Sequence, residues 1–290
     1  MSSPSGISLC EPTELYNLMT QCSRLPAVVN EMHLLLFDAR HAVAYNDCHI
    51  LLAKHAKKDP DGKYRVPFGV YLPTCQNCVV YDSNTVSPLE DTHAVQLAHM
   101  MSSNGSRNAV KVLKGGYERF SAEYPFLRTQ KILYTPTELE CLPHYPSEII
   151  PLFLYLGDER HAFSAATNHD VKIHVHLNAS HKLDTLYSGA ISELRVEACD
   201  DPATNLLPKF GDIVDFLESH RNKSERVLVF SEMGVSSAAV ITIAYLMKKS
   251  HWSLKVATDH VRACRPQVQP AQGFINQLTE WEKQLSSIST

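Results

Sequence analysis

The stretch Val227-Leu228-Val229-Phe230-Ser231-Glu232-Met233-Gly234-Val235-Ser236-Ser237-Ala238-Ala239-Val240 carries the chain's best arrangement for chemistry. Four apolar residues rich in β-branched Val read as a buried strand. A short loop holding Gly234 follows, and Val235 to Met247 reads as a buried helix with small residues, Ser236 to Ala239, at its start. Strand, tight loop and helix N-terminus bring unpaired N–H groups and the positive end of a helix dipole to one point, which suits an anion. The same pattern serves an ordinary βα turn, and composition alone favours that reading. A nucleophile in such a loop must be ionised or have a base beside it. A Cys thiol, ordinarily near a pKa of about 8.5, is ionised there by the helix terminus or nearby cations. The Ser231 hydroxyl stays protonated unless a neighbour takes its proton. Phe230 has no basic atom, and Glu232 points by sequence order to the opposite side of the loop.

Other residues of chemical type are scattered. Cys75-Gln76-Asn77-Cys78 has the spacing of half a zinc site, but no second Cys or His pair lies at zinc-ribbon spacing. Two separate thiols on the approach to a strand is the simpler reading, and no metal is expected. Cys10, Cys22, Cys48, Cys141, Cys199 and Cys264 complete the eight, all expected as reduced thiols in a chain without an export signal. His174 and His176 alternate with apolar residues and share one strand face. With no carboxylate or third His at fixed spacing, a half-exposed strand face is favoured over a metal pair. Lys54-His55-Ala56-Lys57-Lys58, with Lys63 and Arg65 beyond and Asp59 and Asp61 between, reads as a solvated loop.

The elements that would position these groups follow from the hydrophobic pattern. Pro12 to Met19 has Pro and Thr at a helix start and an acid in the first turn. Strands are expected at His33–Asp38, Cys78–Asp82, Val110–Leu113 and Ile173–Asn178, with helices near Thr92–Met101 and Leu206–His220, the last capped by Asp200 or Asp201. Three prolines within Pro136–Pro146 mark a linker. The 290 residues, 44% apolar and 20% charged, suit a soluble protein of two domains. A net charge of −4 gives no electrostatic reason to expect nucleic-acid binding. The start lacks a basic n-region and an apolar h-region, and the longest nearly apolar run, Ala238 to Met247, is half of a membrane span. A cytoplasmic protein without a membrane span is the expectation.

Residues 230–238 resemble the phosphate-binding loop of the dual-specificity protein phosphatases, whose signature runs His-Cys-x-x-Gly-x-Ser-Arg-Ser/Thr. Gly234 and Ser236 match it. The family's His falls on Phe230, its nucleophilic Cys on Ser231, its phosphate-gripping Arg on Ser237, and the hydroxyl that helps the thiolate leave on Ala238. Glu148 to Gly157 resembles the family's opening strands, and Gln277 to Glu282 its close. The resemblance places the general acid at Asp200, five residues before Asn205, with Cys199 beside it. It places the loop-bracing Asn of a Pro-Asn-x-Gly-Phe turn on Ala271. Asp38-Ala39-Arg40, Ala44 to Ile50 and the Gly115-Gly116 pair after Val110–Lys114 resemble the rhodanese-like fold, as in the N-terminal half of MAP-kinase phosphatases. The sulfur-carrying Cys of active rhodaneses falls on Asp82, which cannot hold sulfur.

The implied architecture is α/β: an N-terminal rhodanese-like domain at 11–130, a Pro-rich linker at 131–146 and a dual-specificity-phosphatase-like domain at 147–285, with disordered tails at 1–10 and 286–290. The implied function is that of a pseudophosphatase, no enzyme and without cofactor, in which Ser231, Glu232, Met233, Gly234, Val235, Ser236 and Ser237 are the remnant of the phosphate loop. By resemblance it regulates signalling by binding other proteins, a stress-granule assembly protein and a mitochondrial dual-specificity phosphatase linked to apoptosis among them, which extends the expected location to mitochondria. MAP-kinase docking through the Lys54–Lys58 run is not expected, because it lacks an adjacent Arg pair. The alternative is a residual phosphatase using Ser231 or Cys199 as a non-standard nucleophile.

Overall fold

A computed structural model describes residues 6–22, 32–67, 69–132, 137–138, 141–180, 192–198 and 204–288. The chain divides into two compact units, Met1–Pro143 and His144–Thr290.

The first unit is built on a five-stranded, all-parallel sheet of β1 (Ile7–Cys10), β2 (Leu34–Asp38), β4 (Lys54–His55), β5 (Asn77–Tyr81) and β6 (Val110–Leu113), in the order β1-β6-β5-β2-β4. A strand of a parallel sheet is covered on both faces, so the run Leu34-Leu35-Leu36-Phe37 is apolar without alternation and buried throughout. Leu35, Phe37, Val80 and Val112 share one face and pack under α3 (His93–Ser103), whose N-cap Thr92 accepts the Val95 amide. α1 (Pro12–Cys22) and α4 (Gly116–Glu123) meet through Tyr16 stacked on Tyr124, ring centroids 4.8 Å apart. The short α2 (Ala42–Asp47) and the antiparallel pair β3 (His49–Ile50) and β7 (Arg128–Thr129) complete the unit.

The expected disordered tail at 1–10 is corrected by β1, which pairs Ile7–Cys10 with Val110–Leu113. Four residues give almost no local signal, and their partner lies a hundred residues away. Gly115 and Gly116 both have positive φ, as their turn requires, and a Cβ on Gly116 would lie 2.5 Å from the Asp82 carbonyl oxygen.

The second unit is a five-stranded sheet ordered β11-β10-β12-β9-β8, from β8 (Ser147–Ile150), β9 (Leu154–Asp158), β10 (Ile173–Asn178), β11 (Ser192–Arg195) and β12 (Arg226–Ser231). All neighbours are parallel except β8, which runs antiparallel to β9. After β9 come α5 (Glu159–Phe163) and α6 (Ala165–Val171), and before β12 comes α7 (Phe210–Asn222). α8 (Ser237–Ser250) leaves β12 through the loop of interest and is buried on every side from Ser237 to Met247. Its surround of β12, α7, α9 (Leu254–Cys264) and α10 (Gln272–Ile288) explains why its sequence shows no polar face.

Three further expectations change here. α10 runs to Ile288, so the supposed tail from 286 begins as helix. The helix expected from Leu206 starts at Phe210 behind a 3-10 turn, Leu207–Lys209, with Lys209 at its N-cap. That position is not held by Asp200 or Asp201, which lie outside the described residues. A register shift between Ile173 and Val175 also breaks the shared face of the histidines: His174 is exposed and accepts the Arg226 amide, while His176 is buried.

Candidate functional site

The three central parallel strands of the second unit end together. Phe230 pairs with Gly157 and Asn178, and Ser231 with Asp158, so the loop 232–236 sits at the carboxyl edge of the sheet, where α/β proteins place ligands. Gly234 has φ +63°, and a Cβ there would lie 2.1 Å from the Gly157 carbonyl oxygen. Only glycine satisfies both demands.

Arg265, fully buried after α9, fixes the loop from outside. Its Nε donates to the Gly234 carbonyl at 2.8 Å and its Nη2 to the Met233 carbonyl at 3.1 Å, with Asp158 Oδ2 3.6 Å away. A trans peptide points its C=O and N–H in opposite directions. With two successive carbonyls turned to Arg265, the amides of Gly234 and Val235 face the interior of the loop, and Gly234 N–H donates to Ser231 Oγ at 3.2 Å. Two backbone braces add to this. Gln269 N–H donates to the Val235 carbonyl at 2.9 Å, and Ala271 N–H to Ser236 Oγ at 3.2 Å. Ala271 cannot brace the loop as an Asn would, but its backbone does so instead.

The groups that would do chemistry are placed as follows. Ser231 is 4% exposed, and its oxygen already accepts a hydrogen bond from Gly234. Glu232 makes no hydrogen bond or ion pair among the described residues, so it is no base for Ser231. Phe230 is buried and edge-on to Phe163 and to His176, whose centroid is 5.4 Å away. Burial pushes the His176 imidazole down to about 4, and its Nε2 is bound to Asn168 Oδ1, so it too is occupied elsewhere. Ser237 turns out of the loop and donates to the Ala179 carbonyl at 2.7 Å, tying the start of α8 to the end of β10. Ala238 is buried and offers no hydroxyl. Met233 is 71% exposed on the loop's rim, so an apolar side chain stands at its mouth. Asp200 and Cys199 lie outside the described residues. On the far side of them, Gln277 Oε1 accepts the amides of Leu206 and Leu207, and its Nε2 donates to the Thr204 carbonyl.

Arg265, Asp158 and Gln277 are thus the positioning residues that the sequence pattern does not single out. Arg265 precedes a proline at a helix end, and nothing in that dipeptide announces full burial.

In the first unit, Asp82 is a loop organiser. Its carboxylate accepts the Thr85 hydroxyl at 2.7 and 2.8 Å and the amides of Asn84, Thr85 and Ala94. Burial works to raise its pKa, but the bonds from Thr85 and Ala94 outweigh it and hold the acid below its ordinary value. Cys75 and Cys78 are both buried free thiols, and burial with the neighbouring Cys75 pushes Cys78 up to about 12. Among the described residues no three His, Cys, Asp or Glu side chains are grouped to hold a metal ion, and no helix is long and apolar enough to cross a membrane.

Comparison with known proteins agrees with this geometry in both units. Residues 154–284 match the family "Dual specificity phosphatase, catalytic domain" and residues 11–123 the family "Rhodanese-like domain". A "Probable rhodanese domain-containing dual specificity protein phosphatase" of Dictyostelium discoideum is 27% identical over 214 residues, 72% of this chain and 45% of that protein. Dual specificity protein phosphatase 16 of Homo sapiens is 31% identical over 277 residues, 87% of this chain and 41% of that protein. The chain therefore spans less than half the length of these curated relatives. The crystal structure of human DUSP28 superposes with a TM-score of 0.47 at 30% identity, covering 49% of this chain and 99% of that one. The chain joins a rhodanese-like domain to a domain of the dual-specificity phosphatase family.

Proposed function

We propose that the second domain is a pseudophosphatase: it keeps the loop architecture of a dual-specificity phosphatase, turns over no phosphoester, and acts by binding other proteins. The observation that carries this reading is the state of Ser231. Its hydroxyl accepts the Gly234 amide, is 4% exposed, and is hydrogen-bonded to no base and no cation among the described residues. A serine so placed has no route to an alkoxide. Loss of the bidentate arginine, with Ser237 turned to Ala179, removes about 1.5–3 kcal/mol from any phosphate contact, or roughly one to two orders of magnitude in affinity.

The wider role rests on resemblance to the serine/threonine/tyrosine-interacting-like pseudophosphatases: a regulator of signalling in the cytoplasm and at mitochondria, with a stress-granule assembly protein and a mitochondrial dual-specificity phosphatase as partners. The test of the catalytic reading is hydrolysis of an aryl phosphate by wild type and by the double variant Ser231→Cys/Ser237→Arg. An inert wild type and an active variant support the reading. Wild-type turnover that disappears in Ser231→Ala overturns it. The test of the partner reading is co-purification of the two named partners with wild type and with the double variant. Binding by both forms places the interface outside the loop, and binding by neither removes the partner assignment.

A further inference from the structure

A second candidate site lies away from the loop between β12 and α8. In the first domain, Lys54, His55, Lys57, Lys58, Asp59, Arg65, Val66 and Pro67 line an open groove of about 430 Å³. The sequence spreads these residues over two segments that read as solvated charge. The fold brings them together: β4 is an edge strand, and a bridge between Lys58 and Tyr64 turns the chain back so that Arg65 to Pro67 faces Lys54 to Lys58. Four cations stand against one carboxylate, a surplus of three positive charges. The carboxylate is moreover committed. Asp59 accepts the Lys63 amide at 2.9 Å and Arg65 Nε at 2.7 Å, which hold it below its ordinary pKa. Lys58 is held at the rim by His93 Nδ1 at 3.3 Å and the Tyr64 ring at 4.7 Å. Lys57 is exposed and pairs with no carboxylate among the described residues. A concave wall of one sign focuses the field and raises the local concentration of opposite charge.

We infer that this groove is a binding site for a small anion carrying several phosphates on a compact scaffold. Three observations select that class over an acidic peptide. The volume falls within the roughly 300–1,000 Å³ of small-molecule sites. The adjoining apolar pocket of Phe37, Leu72, Leu97 and Met100 is too tight to admit a water molecule, so a peptide's apolar anchors have nowhere to go. The exposed cation that pairs with no carboxylate is a lysine, Lys57, a point charge suited to phosphate oxygens, while the one arginine lining the groove already spends its Nε on Asp59. This inference is independent of how the loop at Ser231 is read.

The experiment is calorimetric titration of the full chain with inorganic tripolyphosphate at low ionic strength. Saturable binding of one ligand per chain is expected, weakening as salt rises from about 10 to about 150 mM and the screening length falls from about 30 to about 8 Å. Lys57→Glu should weaken it by about tenfold or more, while Arg107→Glu, an exposed reversal elsewhere in the same domain, should leave it unchanged. Lys57→Ala, with milder chemistry at the same exposed position, should give a smaller loss in the same direction. Flotation with phosphatidylcholine vesicles doped with phosphatidylinositol bisphosphate separates the two sources of such a ligand. Lys57-dependent flotation assigns a lipid headgroup, and its absence alongside tripolyphosphate binding assigns a soluble metabolite. No saturable binding, equal losses in Lys57→Glu and Arg107→Glu, or equally tight binding of an oligo-glutamate peptide of matched charge overturns the inference.

Discussion

Arg265 is where the loop architecture is most open to test. Replacing it with Met keeps a long apolar stem and removes both donors to the loop, the 2.8 Å bond to Gly234 and the 3.1 Å bond to Met233. A hydrogen bond from a charged donor contributes about 1.5–3 kcal/mol. The substitution also takes a cation from beside the buried Asp158, which keeps Arg160 at 3.2 Å but through a side chain 66% exposed to water. Breaking a buried pair from one side typically costs about 3–5 kcal/mol, and the two routes agree on that range for Arg265→Met. Both tryptophans, Trp252 and Trp281, lie in the second domain, so urea unfolding followed by tryptophan emission reads that domain alone. With a slope near 2 kcal/mol per molar, the midpoint should fall by about 1.5–2.5 M. Arg265→Lys, which keeps the charge but cannot span both carbonyls, should fall between. A shift below about 0.5 M for Arg265→Met would mean that the loop holds its shape without this clamp, and the account of its inward-facing amides would fail.

Four other outcomes follow from the same geometry. Gly234→Ala should destabilise the second domain by at least about 2 kcal/mol, because the Cβ meets the Gly157 carbonyl at 2.1 Å at a φ that L residues rarely adopt; for this reason a bulky residue at 234 would dislodge the backbone and not merely fill the loop. His176, pushed down to about 4 by burial, stays neutral in the fold while the unfolded chain protonates near 6.5. Stability of the second domain should therefore be full above pH 6.5 and fall by roughly 2–4 kcal/mol as the pH drops toward 4, a slope that His176→Gln flattens in the same urea assay. Asp82 has a depressed pKa, so its contribution is present above the unfolded value near 3.9 and lost as pH falls through the folded one; Asp82→Asn should cost the first domain about 1–3 kcal/mol at pH 7, read by hydrogen exchange at Thr85 and Ala94. Ser237→Arg alone must break the 2.7 Å bond to the Ala179 carbonyl and should cost about 1–3 kcal/mol by urea unfolding, whereas Ser231→Cys should be nearly neutral.

What the sequence made legible and what it hid divide along physical lines. Leu34–Phe37 and Val227–Phe230 read as strands because burial on both faces leaves an uninterrupted apolar run. Gly115, Gly116 and Gly234 read as turns because positive φ leaves little choice of residue. The hidden features all depend on what lies far away in the chain. β1 is four residues whose partner is β6, His174 and His176 are separated by a register shift set by β12, and the groove at Lys57 exists only once Arg65 folds back beside it. Arg265 is the extreme case, since its burial is decided by Asp158 and by two carbonyls about thirty residues upstream. A charged residue in sequence is by default a surface residue, and only the fold reverses that expectation.

The residues that shape the loop are not the residues that would react in it. Gly234, Arg265, Gln269 and Ala271 set its path through backbone conformation and through bonds made to or from the main chain. The side chains at 230, 231, 237 and 238 could therefore change without loss of the fold, provided each new one found a place in it. The side chains present all have one: Phe230 packs on Phe163, Ser231 accepts an amide, Ser237 ties α8 to β10, and Ala238 closes against the core. A loop held only by its side chains would be expected to collapse or to vary in conformation when they change. This one is clamped from behind by Arg265, which holds the amides of Gly234 and Val235 turned inward, with Met233 exposed beside them. The backbone path of the loop and the side chains it carries are thus set by different contacts, which is why the path can be tested at Arg265 and Gly234 separately from the chemistry at Ser231.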